Sequence, residues 1–284
     1  MAEARSAKDR SANDRVRYWH DSTTREIAER AADDPVVIMS LAAVEQHGPH
    51  LPLSTDLEIG LGVLSAAFRA LPADFPVFAL PPQPFGASAE HADFPGTLTL
   101  PVGVLGEVIY AVGSSLARAG VRRLVLFNSH GGNRSAVDSA GLRLRSDHRL
   151  LVVKASYFRF PLPVDLDLPE SERAHGLHGG ALETSMMLHL RPDLVRVDEL
   201  RRFSSLGEEL AEHLEHVRPE GPASFAWTAR DLNPEGVVGN AKIDGAAALG
   251  ARLVEHYGAY LAEVITDARD FPLNRLARPG DQGD

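Results

Sequence analysis

Two hydrophobic periodicities alternate over the first 157 residues of the chain. Continuous apolar runs rich in branched residues are typical of parallel strands that are buried on both faces. Four such runs occur, at residues 35–42, 75–80, 122–128 and 150–157. Apolar residues at helical spacing mark the segments between them, at 56–71, 102–120 and 134–147. The alternation predicts an α/β fold in which helices cover a doubly wound, mostly parallel sheet.

The second half of the chain has a less regular pattern. The proline-rich stretch 161–176 predicts a long loop, and 179–190 indicates the start of a helix. Amphipathic helices are expected within 206–217 and 242–271, where apolar residues recur at helical spacing.

The chain shows no internal repeat and no linker-like stretch, so we expect a single domain over residues 17–270. The polar segment 1–16 predicts a disordered leader, and it lacks the apolar core of a secretory signal. Residues 271–284 predict a flexible tail. No apolar run approaches the roughly 18 residues that a membrane-spanning helix needs, so no membrane partner is expected.

Composition and charge exclude several classes of site. The chain has no cysteine, which excludes disulfides, thiolate zinc sites and a cysteine nucleophile. Its formal net charge is −10, and its basic residues are scattered. We therefore expect no nucleic-acid partner, because phosphate contacts need clustered lysine and arginine.

Side chains that can bind metal ions follow the predicted strands. Glu45 and His47 come shortly after the first apolar run, Asp56 opens the next helix, and His130 follows the third run. In open α/β sheets, ligands lie beyond the carboxyl ends of the strands. Two further segments contribute candidates to the same edge: Ser88, Glu90 and His91 after the second run, and His175, His178 and Glu183 in HGLHGGALETS.

Divalent cations would account for this set of side chains. Burying the carboxylates of Glu45, Asp56 and Glu183 without compensation would be costly. Carboxylate oxygen with imidazole nitrogen suits zinc, manganese or iron. Two such cations would carry more charge than the three carboxylates, and the surplus would lower the pKa of a bridging water.

Each of these motifs also has a purely structural explanation. Glu45 and His47 alone would more often mark a solvated loop end, and the glycines after His130 alone would be only a flexible turn. Glu183 alone could face solvent on a capped helix. The glycine pairs match neither a dinucleotide-binding nor a Walker pattern. The metal-site interpretation therefore depends on three separated segments meeting at one edge of the sheet.

Five motifs together resemble the creatininase (creatinine amidohydrolase) family: EQHGPHLPLSTD, GASAEH, NSHGGN, HGGALETS and DLNPEGVVGN. They run in order from about residue 18 to about residue 260, and E-x-HGPHLPL-x-x-D is the most specific of them. The resemblance implies a three-layer α/β/α sandwich with a mostly parallel central sheet. It also implies a cytoplasmic, dinuclear metal-dependent amidohydrolase, commonly assembled as a homohexamer. Characterised relatives open cyclic amides, deformylate pyrimidine precursors or trim a peptide in mycofactocin maturation.

The same resemblance implies a ligand set. Glu45, Asp56 and His130 would bind one metal ion, and His47 and Asp56 would bind the other, with Asp56 as the bridge. The cofactors expected are thus two divalent ions per protomer, of zinc, manganese or iron.

The chain departs from creatininase at one ligand position. Creatininase has a carboxylate two residues after the ligand that matches His130, where this chain has Gly132. We expect Glu183 to replace that ligand. The aromatic residues that enclose creatinine also lack a match, so creatininase activity itself is not expected.

We predict that the protein hydrolyses the C–N bond of an amide, cyclic or not, in a non-peptide compound or a small peptide, with a small-molecule amide as the expected substrate. A metal-bridging hydroxide would attack the carbonyl carbon while one metal polarises its oxygen. His178 would carry a proton to the leaving nitrogen, and Glu183 belongs to the same catalytic set. Ser88 and His91 are the predicted substrate-binding residues, with His91 or Glu90 supporting their loop.

Two alternatives stay open. A mycofactocin-type peptidase would use the same metal centre on the C-terminus of a peptide, and HGGN without a downstream carboxylate favours it over creatininase. A non-catalytic metal-binding scaffold is the other, although a scaffold has no need for four ligand-type residues. Substrate specificity is expected in segments 158–176 and 201–235, where Phe225 and Trp227 could form an apolar wall or belong to the core.

Overall fold

Four parallel strands form the central sheet of the computed structural model, which describes residues 16–276. In chain order they are β1 (Val36–Leu41), β2 (Val77–Ala79), β3 (Arg123–Asn128) and β4 (Leu151–Ser156). They lie side by side in the order β2-β1-β3-β4. β1 and β3 are buried along their whole length. All four apolar runs therefore form strands, and the two central ones are covered on both faces.

Helices and short strands make up the rest of the described fold. The helices are α1 (Thr24–Ala31), α2 (Thr55–Ala70), α3 (Val102–Arg118), α4 (Arg134–His148), α5 (Glu170–His175), α6 (Ala181–Leu190), α7 (Leu206–His213), α8 (Ala229–Leu232) and α9 (Ala246–Asp270). The short strands form two pairs, β5 (Arg202–Phe203) with β8 (Gly239–Asn240), and β6 (Val217–Arg218) with β7 (Ala223–Ser224).

The helices lie on both faces of the sheet. α2, α6 and α9 pack together on one face, and α3 and α4 pack together on the other. Successive residues of β1 point to opposite faces of the sheet. Ile38 packs in the hydrophobic cluster on the α2–α6–α9 side, and Val37 packs in the cluster on the α3–α4 side. The structure is a three-layer α/β/α sandwich with a parallel central sheet, which confirms the predicted fold.

Two glycines let the long helix α9 approach its neighbours closely. A Cβ at Gly250 would collide with the backbone of Ser185 in α6. A Cβ at Gly258 would collide with Ala66 in α2. Because α6 carries Glu183 and α2 carries Asp56, these contacts fix two of the predicted metal ligands relative to each other.

Three of the described helices depart from the expectations: α5, α1 and the four-residue α8, which was not predicted. α5 lies inside the stretch predicted to be a long loop, where Pro169 precedes its first residue and acidic residues occupy its first turn. α1 was not predicted. It begins at a capping box, in which Glu26 N–H donates to Thr23 Oγ1 and Thr23 N–H donates to the Glu26 carboxylate at 2.7 Å.

The two ends of the described chain contact the core. Residues 1–15 and 277–284 lie outside the described residues, so the predicted leader and most of the predicted tail stay predictions, as do the domain bounds. Val16 is buried. Phe271, Leu273 and Leu276 are partly buried against the cluster on the α2–α6–α9 side. Among the helices of residues 16–276, none is long and apolar enough to span a membrane.

Candidate metal centre

The loop between β1 and α2 brings three of the predicted ligands to the carboxyl edge of the sheet. Glu45 N–H donates to the carbonyl oxygen of Leu53 at 3.0 Å, and His47 pairs with Leu51 in a β-bridge. The loop thus folds back on itself. Asp56 lies in the first turn of α2, where the helix dipole favours a carboxylate. Glu45, His47 and Asp56 are all buried.

His130 reaches the same edge from the neighbouring strand. Leu41 at the end of β1 lies opposite Asn128 at the end of β3, so the residues that follow leave the sheet side by side. Nδ1 of His130 lies 3.2 Å from Glu45 Oε1 and 3.2 Å from Asp56 Oδ2. Glu45, Asp56 and His130 form one group of possible ligands, whose three atoms lie within 4.8 Å of one another.

A second group shares Asp56 with the first. Nε2 of His47 lies 3.3 Å from Asp56 Oδ1 and 3.9 Å from Glu183 Oε2. Glu183 comes from the first turn of α6. His47, Asp56 and Glu183 meet the same 4.8 Å distance limit. The structure therefore brings all five predicted ligands together as two groups with Asp56 in common, and their binding of metal stays a prediction.

Backbone hydrogen bonds set which nitrogen each histidine presents to these groups. In the neutral ring of His47, Nδ1 donates to the carbonyl oxygen of Glu45 at 3.2 Å, which leaves Nε2 without a proton. In the neutral ring of His130, Nε2 donates to the carbonyl oxygen of Ala87 at 3.0 Å, which leaves Nδ1 without a proton. Metal-binding histidines are commonly oriented in this way.

Three buried atoms at the centre have no hydrogen-bond partner among the described residues: Glu45 Oε2, His47 Nε2 and Asp56 Oδ2. Leaving buried polar atoms unpaired is costly, and native structures rarely do so without a reason. Two oxygens and an imidazole nitrogen with a free lone pair are the donors that a divalent cation takes up. The donor set thus fits the predicted metal ions.

The carboxylates raise the pKa values of both imidazoles. Although burial opposes protonation, Asp56 and Glu183 raise the pKa of His47 to about 9. Against the same effect of burial, Glu45 and Asp56 raise the pKa of His130 well above its usual value. Burial would raise the pKa of Glu45, but His130 holds it below its usual value. The centre therefore has the negative potential that a divalent cation would neutralise.

His178 lies above the same centre. Its Nε2 donates to the carbonyl oxygen of Gln46 at 2.9 Å, while Nδ1 lies 3.9 Å from Glu45 Oε1. The ring is tilted by 38° against that of His47, with centroids 4.2 Å apart, and a third possible ligand group consists of Glu45, His47 and His178. Burial, together with His47, lowers the pKa of His178, so the ring is neutral and its Nδ1 can accept a proton.

The two predicted substrate-binding residues differ in position. Ser88 is fully buried, and its hydroxyl lies 3.2 Å from Nε2 of His130, whereas Glu45 and Asp56 lie at Nδ1 of that ring. His91 lines the cleft above the centre. Its Nδ1 accepts from the Gln46 side chain at 2.8 Å, and its Nε2 lies 3.5 Å from Glu45 Oε1. Ser88 is not among the residues that line the cleft, whereas His91 is, and the substrate-binding role of both residues stays a prediction.

A cleft of about 620 Å³ opens over the centre. The residues that line it include Glu45, Asp56, His130, His178 and Glu183. Its walls include the aromatic residues Tyr157, Phe158, Phe160, Trp227 and Tyr257, and the arginines Arg134, Arg159 and Arg173. Segment 158–176 and residues 220, 221 and 227 contribute to these walls, whereas Phe225 is not among the lining residues, and a role of these segments in specificity stays a prediction.

Comparison with known proteins agrees with the resemblance seen in the sequence motifs. A family model described as creatinine amidohydrolase (Creatininase) matches residues 20–265. The chain belongs to the creatininase family.

Two relatives and two solved structures show how far this similarity extends. A mycofactocin precursor peptide peptidase from Mycolicibacterium smegmatis is 34% identical over 207 residues, which are 72% of this chain and 76% of that protein. A creatinine amidohydrolase from Pseudomonas putida is 32% identical over 188 residues, which are 61% and 71% of the two chains. A structure described as creatininase Mn covers 90% of this chain and 99% of its own, with a TM-score of 0.70 and 24% identity. A mutant creatininase of Zn-Zn type covers 90% of this chain and 98% of its own, with a TM-score of 0.69 and 25% identity.

Gly132 marks the departure of this chain from creatininase, and the structure gives a steric reason for it. A Cβ at this position would collide with the carbonyl oxygen of Ala87 and would lie 2.6 Å from both Glu90 Oε1 and His130 Nε2. The loop that carries Ala87 and Glu90 thus leaves no room for a side chain here. Glu183 approaches the centre from α6, with its Oε2 3.9 Å from Nε2 of His47, and its replacement of the ligand missing at Gly132 stays a prediction.

Gln46 is a site residue that the sequence analysis did not single out. Its side-chain nitrogen donates to the carbonyl oxygen of Gly236 at 2.7 Å and to Nδ1 of His91 at 2.8 Å. Its own carbonyl oxygen accepts from His178. Gln46 therefore sets the orientation of two imidazoles in the cleft. Its place between Glu45 and His47 in the EQHG motif was the signal available.

Asn133 is a second site residue that was missed. Its Nδ2 donates to the carbonyl oxygen of Ala42 at 3.1 Å, and its Oδ1 accepts from Ala87 N–H at 2.9 Å. It thus ties the loop after β1 to the loop that orients His130. The asparagine that closes NSHGGN was its only signal in the sequence.

Proposed function

We propose that this creatininase-family chain is a metal-dependent hydrolase that holds two divalent cations and cleaves the C–N bond of an amide. The observation that carries the proposal is the sharing of Asp56 by two groups of possible ligands, all of which line the cleft except His47. Zinc, manganese and iron all suit this mixture of carboxylate and imidazole donors. Two bound cations would supply Lewis acidity and lower the pKa of a coordinated water.

His178 is the proposed proton carrier of the reaction. Its Nε2–H is committed to the carbonyl oxygen of Gln46, so the ring keeps its orientation and only Nδ1 is free toward the cleft. A neutral imidazole with a free nitrogen can accept a proton and return it to the leaving nitrogen. Tyr157 is also close, since its hydroxyl lies 3.3 Å from Glu183 Oε1 and donates to it. That hydrogen bond would orient the Glu183 carboxylate.

A short peptide is the substrate class that we favour. The similarity to mycofactocin precursor peptide peptidases supports it. The cleft supports it as well, because about 620 Å³ is the size that takes drug-sized ligands and exceeds the need of a single small ring. Its aromatic walls would pack against apolar side chains of such a peptide.

A small cyclic amide is the second candidate substrate. The similarity to a creatinine amidohydrolase favours it, since that enzyme is named for such a substrate. It would engage the same metal centre but would fill less of the cleft.

The test is a hydrolysis assay on protein loaded with zinc or manganese. Short peptides with free C-termini, creatinine and a formylated amine are incubated with it, and products are identified by mass spectrometry. We expect peptide cleavage that a chelator abolishes. Ring opening of creatinine without peptide cleavage would favour the cyclic-amide candidate. Two metals bound with no hydrolysis in any assay would support the non-catalytic scaffold and overturn the proposed activity.

A further inference from the structure

His50 is a fully buried histidine beside the centre that has no part in the proposed chemistry. Its Nε2 lies 2.9 Å from the carbonyl oxygen of Gly179 and 3.1 Å from Thr184 Oγ1. Its Nδ1 has no hydrogen-bond partner within residues 16–276. The proton of the neutral ring therefore lies on Nε2, where the carbonyl of Gly179 accepts it.

Gly179 connects this contact to a predicted metal ligand. Gly179 N–H donates to Glu183 Oε2 at 2.7 Å, and this is the oxygen that faces His47. Thr184 Oγ1 also donates to the Gly179 carbonyl, at 3.2 Å. Gly179 is thus held through its carbonyl by His50 and Thr184, and it holds the Glu183 carboxylate through its N–H.

The backbone at Gly179 depends on such support. Its φ is +69°, in the left-handed region, and a Cβ there would lie 2.6 Å from Val237. The ring of His50 stacks on that of Phe203 with centroids 5.2 Å apart. His50 is therefore packed in one orientation and aims a single donor at a turn of unusual conformation.

We propose that His50 is a positioning residue for Glu183. By donating to the carbonyl of Gly179, His50 would hold the Glu183 carboxylate in the orientation that binds its metal ion. The inference rests on the proposed two-metal function. It adds different roles for the two histidines of HGPH. His50 would orient Glu183, the predicted ligand from α6, whereas His47 would itself be a ligand. Without the His50 donor, the 178–183 turn would relax and Glu183 Oε2 would leave its position opposite His47.

Two substitutions separate the donor from the packing of the ring. His50→Phe keeps a ring on Phe203 and removes the donor. His50→Gln places an amide nitrogen near the position of Nε2 and keeps it. His256→Phe is the matched control, since His256 also contacts a backbone carbonyl, that of Pro161 at 2.8 Å, on an exposed part of the chain.

The experiment is calorimetric titration of metal-free wild-type and variant protein with zinc, with thermal unfolding recorded for each. We expect two zinc ions in the wild type and in the His256→Phe control. In His50→Phe one site should weaken about 10- to 100-fold, as is typical when an outer partner of a metal ligand is lost. The other site should keep its affinity, and His50→Gln should bind nearly as the wild type does.

A double-mutant cycle with Glu183→Gln shows whether the effect passes through Glu183. In that background His50→Phe should change zinc affinity little, because the ligand it positions is already lost. Equal weakening of both sites, or unchanged affinity in a folded His50→Phe, would overturn the proposal.

Two further outcomes are informative. If His50→Phe does not fold, Thr184→Val removes the other donor to the same carbonyl, and it should weaken the same site less severely; no weakening would count against the proposal. A wild type that binds fewer than two zinc ions would overturn the proposed function and this inference with it, whereas two ions with no effect of His50 would overturn the inference alone.

Discussion

His47 and His130 each use one ring nitrogen to bind a backbone carbonyl and present the other to carboxylates. The carboxylates raise the pKa values of both rings, so protons and divalent cations compete for the same nitrogens. In protein without metal, the protonated rings themselves partly offset the charge of the carboxylates. The stability of the metal-free protein should therefore depend on pH.

The metal-free protein should lose stability as pH rises from about 6.5 to about 9. The pKa of His47 is raised from an ordinary value of 6.5 to about 9 in the folded protein. Its contribution is fully present below pH 6.5 and is lost as pH rises toward 9. The loss should be about 3 kcal/mol in the free energy of unfolding, measured by urea denaturation in the presence of a chelator.

His47→Gln provides the control for this pH dependence. Gln does not titrate, so the decline between pH 6.5 and 9 should be smaller in the variant. A wild-type stability that is flat or rises over this interval would show that the carboxylates do not hold a proton on His47.

At the scale of elements, the sequence predicts those parts whose cause is local. The four strands of the central sheet follow from continuous apolar runs, and α2, α3 and α4 follow from helical spacing between them. The helix α5 and the two-residue strand β8 do not follow from the sequence, because a contact between them supports both. Asn240 N–H in β8 donates to the Glu172 carboxylate at 2.6 Å.

The same distinction applies to the site. The motifs identified the ligand-type residues because their side chains carry recognisable chemistry. Gln46 and His50 were not distinguished from loop residues, because their partners Gly236 and Gly179 lie 190 and 129 positions away along the chain. Such contacts depend on the completed fold and leave no local pattern.

The packing of α9 on α6 gives a prediction about stability. Gly250→Ala should destabilise the protein by about 1–3 kcal/mol, because the added Cβ would meet the backbone of Ser185, which cannot rotate away. Gly103→Ala is the matched control in α3, where a Cβ would meet nothing within 4 Å, and it should be neutral or slightly stabilising. Urea denaturation measures both. Equal effects of the two substitutions would contradict the close packing of α9 on α6.

At the scale of the whole molecule, the sandwich places one cleft over one cluster of ionisable groups at the carboxyl edge of its sheet. Family membership and fold agree with this arrangement. The homo-oligomeric state, the hexamer, the cytoplasmic location and the absence of nucleic-acid and membrane partners stay predictions. The central claim is the presence of two metal ions, one of them dependent on Glu183.

Elemental analysis of metal per protomer tests this claim most directly. Wild type and Glu183→Gln are purified identically, loaded with zinc or manganese and freed of excess metal. We expect about two ions in the wild type and about one in the variant, since Glu45, Asp56 and His130 would keep the first. One ion or none in both proteins would contradict it, because Gly132 would then mark a lost site and Glu183 would not replace its ligand.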